Sequence, residues 1–105
     1  SELREVIRLN PNFLDAYLRL GDALFAKGDL EEAKKHYLTA LRGDPTLTVA
    51  YNNLGKVYLT QGQTSQAIVQ FSEALRLNPS YKEAEDNLSI AKASDAFLGT
   101  RTTNF

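Results

Sequence analysis

The chain has 105 residues, 43% of them hydrophobic and 24% charged, with a formal net charge of −1. That is the composition of one ordinary globular unit, and so slight a charge gives no broad electrostatic grip on nucleic acid or an anionic membrane surface. No apolar run approaches the roughly 20 residues of a membrane span, and the absence of cysteine removes disulfides, cysteine-based zinc sites and thiol catalysis together; a cytoplasmic or nuclear setting is expected.

Residues 1–13 match residues 69–81 at a spacing of 68, with Arg8-Leu9-Asn10-Pro11 recurring as Arg76-Leu77-Asn78-Pro79. Leu3, Val6 and Ile7 form an apolar stripe at helical spacing, so residues 1–10 read as the second helix of a preceding unit, ended by Pro11. From there a period of 34 governs the chain. Between 14–47 and 48–81 there are ten identities, among them Ala16/Ala50, Tyr17/Tyr51, Leu20/Leu54, Gly21/Gly55, Gly28/Gly62, Ala33/Ala67, Ala40/Ala74 and Pro45/Pro79. A fixed period of this length marks a repeat architecture.

In the first unit a helix is expected over about 12–27, with Leu14, Ala16, Tyr17, Leu20, Ala23 and Leu24 inward. Gly28 supplies the turn, and Asp29 with Glu32 has a capping-box pattern for a second helix running to about 42. The second unit repeats the order, with helices over about 46–61 and 64–77 joined at Gly62. Residues 82–97 read as the first helix of a further unit or a capping helix, and 98–105 as a frayed tail. The chain contains no methionine and opens part-way through a unit, so it is expected to be a segment of a longer protein.

Glycine inside a helix costs about 1 kcal/mol against alanine, so Gly21 and Gly55 imply a close helix crossing, with Ala33 and Ala67 as the matching small faces. The aromatic, Leu-Gly, Gly, Ala, aromatic, Ala and Pro positions at this period resemble the tetratricopeptide repeat (TPR) family. The resemblance covers about residues 1–94 and implies an all-α fold: antiparallel helix-turn-helix repeats stacked as a right-handed superhelix. It further implies that the first helix of each pair lines a concave groove that binds a peptide or partner protein.

No catalytic constellation is readable, and none is expected in this segment. The single histidine, His36, lies beside Lys34 and Lys35 and is expected on a solvated helix face. No His-x-x-x-His pair or glycine-rich phosphate loop is present, so no cofactor or metal is expected.

The resemblance places the groove on Asp15, Leu18, Arg19 and Asp22 of the first unit, with Phe25 and Ala26. In the second it falls on Asn52, Asn53 and Lys56, with Val49 and Leu59, and in the third on Glu83, Asp86, Asn87 and Ile90. Asn53 and Asn87 are 34 apart, and an amide can both donate to and accept from a peptide unit. The pair resembles the asparagine ladders with which some members hold a peptide backbone; Arg19 takes the first rung. Members that grip a C-terminal carboxylate use a clamp of Lys, Asn, Asn, Lys and Arg. The corresponding places here hold Leu18, Asp22, Asn53, Glu83 and Asn87, so only Asn53 agrees. A neutral or mildly basic peptide is the expected ligand. The alternative is head-to-tail self-association, giving a homo-oligomer, through Leu3, Val6 and Ile7 at one end and Leu88, Ala91 and Phe97-Leu98 at the other.

Overall fold

The computed structural model describes residue 10 and residues 13–103, with side chains through residue 97. Expectations for residues 1–9, Leu3, Val6 and Ile7 included, lie outside the described residues. Five helices follow in order: α1 (Phe13–Lys27), α2 (Leu30–Gly43), α3 (Thr48–Thr60), α4 (Thr64–Leu77) and α5 (Lys82–Thr103).

The turns inside the two helix pairs are copies of each other. Gly28 and Gly62 adopt φ of 92° and 77°, a left-handed conformation that other residues enter only with strain. Each glycine N–H donates to a carbonyl three residues back (Gly28 to Phe25, 3.0 Å; Gly62 to Leu59, 3.1 Å), which starts the reversal. The capping-box expectation fails: Asp29 makes no side-chain bond to the α2 N-terminus, because its carboxylate turns back to Lys27, 3.5 Å away. The links between pairs are also alike. The Asp44 and Asn78 side chains each accept the N–H two residues on, from Thr46 (3.0 Å) and Ser80 (3.2 Å), which tightens the chain around the proline between.

Two small cores hold the stack. Ala33, Tyr37 and Leu41 of α2 enclose Ala50, Leu54 and Val57 of α3; Ala67 and Phe71 of α4 enclose Ala91 of α5, with Leu88 packed beside it. The helix glycines serve these cores in a way the sequence expectation did not foresee. A Cβ on Gly21 would lie 2.6 Å from the Tyr37 ring, and one on Gly55 would lie 2.5 Å from the Phe71 ring. What occupies the space is an aromatic ring of the second helix, rather than a crossing backbone with alanine opposite. Ala33 beside Tyr37 and Ala67 beside Phe71 are fully buried, as are Ala40 and Ala74.

Each helix packs on the next. In addition α1 touches α3 and α3 touches α5, whereas α2 and α4 do not meet. The first helices therefore converge on one side and the second helices spread on the other, which curves the stack and makes the face of α1, α3 and α5 concave.

The ends depart from expectation. Leu20 is 47% exposed where Leu54 is buried, and Ala16 is exposed where Ala50 is buried, because no described helix lies on that side of α1. At the other end Ala91 is fully buried and Leu88 packs against α4, while Glu85, Ser89 and Lys92 face solvent. The apolar surface that head-to-tail assembly would draw from Leu88 and Ala91 is thus already used inside the chain. The expected tail is helical as far as Thr103: no proline interrupts it, and one glycine does not break a helix of this length.

Replacing Gly55 with alanine gains about 1 kcal/mol of helix propensity but drives a methyl group into the fully buried Phe71 ring, where overpacking costs about 1–3 kcal/mol. At so short a distance the clash wins, and urea unfolding of Gly55→Ala should show a net loss of up to about 2 kcal/mol. Pairing it with Phe71→Leu should recover part of that loss.

Candidate functional site

The concave face is a set of polar side chains tied to one another across the first helices. At one edge Arg19 donates its Nε–H to Asp15 on the same helix, at 2.7 Å. Both side chains are largely exposed, so the pair adds little to stability, and it occupies the first rung. Leu18 does not reach the open groove: it is half-buried against the core that contains Ala50 and Leu54.

Asp22 stands at the centre. Its Oδ1 accepts two hydrogen bonds, one from the Tyr37 hydroxyl and one from Asn53 Nδ2 at 3.0 Å. Lys56 lies one turn along α3 from Asn53. Its Nζ is 3.6 Å from Glu83 of α5 and 5.6 Å from the centroid of the Phe25 ring of α1. Between them is a cavity of about 390 Å³, whose walls also include Val49 and Tyr81. A second, mostly apolar hollow of about 470 Å³ lies beside the α3–α4 turn, among Leu59, Gly62, Thr64, Ala93 and Phe97.

The two asparagines do not form matching rungs. Asn53 points its amide nitrogen at Asp22, but Asn87 donates to Asn52 Oδ1, at 3.1 Å. Asn52, expected on the groove, is fully buried. Its position in the repeat, like that of Leu18 one unit earlier, faces the neighbouring first helix, and α5 covers it. The Asn52 Nδ2 has no hydrogen-bond partner in good geometry. It lies near enough to Tyr81 to favour the ionised phenol, yet burial dominates and, with the nearby Glu83 charge, raises the Tyr81 hydroxyl above its ordinary value. Burial raises the Tyr37 hydroxyl strongly, and the bond to Asp22 and that carboxylate's charge add to it.

Three contributors were not singled out from sequence as site residues. The repeat motif puts Phe25 in the groove without a role and Tyr37 in the core, and gives Tyr81 no role. A signal existed for Tyr37: the second unit has Phe71 at the same place, and a buried phenol seeks a hydrogen-bond partner. His36 is half-buried instead of solvated, its ring 5.7 Å from that of Tyr17. Among the described residues no cluster of three side chains could hold a metal ion, and no helix is long and apolar enough to cross a membrane.

Family models agree with this architecture. A model described as "TPR repeat" matches residues 21–62, and two described as "Tetratricopeptide repeat" match residues 48–86 and 2–35. The chain belongs to the tetratricopeptide repeat family. Solved TPR structures share its fold. The Sgt2 TPR domain from Aspergillus fumigatus is 25% identical, with a TM-score of 0.77 over 79% of this chain and 55% of that one. The second TPR of Spaghetti (RPAP3), bound to the HSP90 peptide SRMEEVD, is 22% identical, with a TM-score of 0.78 over 95% of this chain and 86% of that one. YrrB, described as a TPR protein with an unusual peptide-binding site, is 25% identical, with a TM-score of 0.70 over 80% of this chain and 43% of that one. The TPR chain here therefore spans about half the length of Sgt2 and YrrB as solved. No curated protein matches it significantly.

The Tyr37–Asp22 bond has a signature in pH. An unfolded tyrosine ionises near its ordinary 10.0, whereas folded Tyr37 holds its proton well above that. Its contribution to stability is complete below pH 10 and falls as pH rises further, by up to about 1.4 kcal/mol per pH unit. In an alkaline absorbance titration of the five tyrosines, Tyr37 should ionise last, and Asp22→Asn should bring its transition to lower pH.

Proposed function

We propose that this TPR segment is a non-catalytic protein-interaction scaffold, and that its working surface is the concave face of α1, α3 and α5. The observation that carries the reading is the convergence of the first helices around the cavity at Asp22, Asn53 and Lys56. Pockets that take ligands are concave and combine apolar walls with a few polar groups that fix orientation. Val49 and Phe25 supply the first and Asp22 and Asn53 the second. The apolar hollow at Leu59, Ala93 and Phe97 opens between α3 and α5, where an extended peptide crossing α3 would seat one side chain.

The solved relatives lend support of a coarser kind. The RPAP3 domain, of the same fold, is described with a peptide bound, and YrrB with a peptide-binding site of its own. The clamp for an acidic C-terminus does not carry over, since Asp22 and Glu83 occupy two of its places.

A library of random dodecapeptides displayed on phage and selected against the chain provides ligands. Amide shift changes on adding a selected peptide to the ¹⁵N-labelled chain should concentrate around Asp22, Asn53, Lys56 and Ile90. Changes confined to the outer faces of α2 and α4 would refute the concave-face reading.

A further inference from the structure

We infer that the cavity at Asp22 is a subsite for a cationic side chain, the ammonium of lysine or the guanidinium of arginine, presented by the bound peptide. This rests on the concave-face reading above and specifies the chemistry of that site.

The charge count points the same way as the geometry. Two carboxylates, Asp22 and Glu83, face the cavity against one base, Lys56, leaving a local charge of −1. Both hydrogen bonds that hold Asp22 fall on Oδ1. Oδ2 is therefore the oxygen left to receive a ligand's N–H, and it is already oriented, because Tyr37 and Asn53 hold the group from two helices. A pre-positioned carboxylate loses less freedom on binding than a mobile one.

The rest of the wall suits the same ligand. Phe25 lines the cavity and already has an ammonium over its ring, and aromatic faces attract cations. Lys56 already shows what fits: its ammonium sits between Glu83 and the Phe25 ring, as an internal cation occupying part of the place a ligand would take. The cavity volume of about 390 Å³ corresponds to about a dozen waters, enough for the head and stem of a long side chain. Lys56 is therefore a competitor of the ligand and Asp22 its receptor, and the two residues should affect affinity in opposite directions.

The test uses Nα-acetyl-arginine amide, Nα-acetyl-lysine amide and the neutral isostere Nα-acetyl-citrulline amide, titrated into the ¹⁵N-labelled chain. The two cationic probes should move the Asn53 side-chain amide and the Lys56 resonances, and the citrulline probe should not. Asp22→Asn keeps an acceptor oxygen for Tyr37 while removing the charge, and should weaken the cationic probes about tenfold. Lys56→Gln removes the competitor and raises the local charge to −2, and should tighten them about threefold. Added salt should weaken them. Citrulline binding as well as arginine, or both variants shifting affinity the same way, would overturn the inference. If Asp22→Asn fails to fold, Lys56→Gln decides alone, and unchanged or weaker binding there overturns it. Should phage-selected peptides map to the concave face while the cationic probes do not bind, this inference fails and the groove reading stands; peptides mapping to α2 and α4 remove both.

Discussion

The structure depends on an aromatic ring of each second helix lying where the first helix has no side chain. Tyr37 fills the space over Gly21 and Phe71 fills the space over Gly55. Both rings are essentially buried. The pairing sets the distance between helices within a pair and gives the first helix its reason to carry glycine at a cost of about 1 kcal/mol. Each ring also reaches beyond its own pair: Tyr37 packs with Ala50, Leu54 and Val57 of α3, and Phe71 packs with Ala91 of α5. One side chain thus fixes both the fold of a repeat and its contact with the next, which is how a short chain builds a continuous core from units that could not bury one alone.

The two copies differ by one oxygen atom, and the groove is organised around that difference. Phe71 ends at its ring. Tyr37 continues through the packed layer and presents a hydroxyl to Asp22 on the concave side. The residue equivalent to Asp22 in the second unit is Lys56, which lies near Glu83 instead. The concave face is therefore not a uniform repeat of one site. It has one carboxylate held from the core and one lysine held by its neighbour, side by side on α1 and α3. The apparently regular pair Asn53 and Asn87 separates for the same reason: Asn53 joins the Asp22 arrangement, while Asn87 seals the buried Asn52 between α3 and α5.

The helices, their order and the 34-residue spacing were legible because each rests on local signals: apolar periodicity, glycine in the turns, proline after the helices. The bounds agreed to within a few residues, α5 excepted. What could not be read was pairing between residues of different units. Asp22 with Asn53, Asn87 with Asn52 and Gln61 with Glu31 are 30 to 35 residues apart, and nothing in the period says which of several polar neighbours will bond. Asn52 shows the limit most clearly. Its place in the motif is shared with Leu18, and only the apolar residue reveals that this place turns toward an adjacent helix. Leu20 fails in the opposite sense. Its pattern is that of a core residue, but no described helix packs on that side of α1 and it stays 47% exposed. The Tyr37 hydroxyl was the one readable hint of a link between core and groove, since a phenol in place of phenylalanine implies a partner.

A comparison of Tyr37→Phe with Tyr37→Leu tests this division of labour within one side chain. Phenylalanine keeps the ring over Gly21 and removes only the bond to Asp22, an exposed carboxylate that water can resolvate. Unfolding in urea should then show a loss of about 1 kcal/mol. Leucine leaves the space over Gly21 poorly filled, in a core shared with α3, and should cost about 3 kcal/mol. Equal losses for the two variants would contradict the claim that the buried ring over glycine is what the stack rests on.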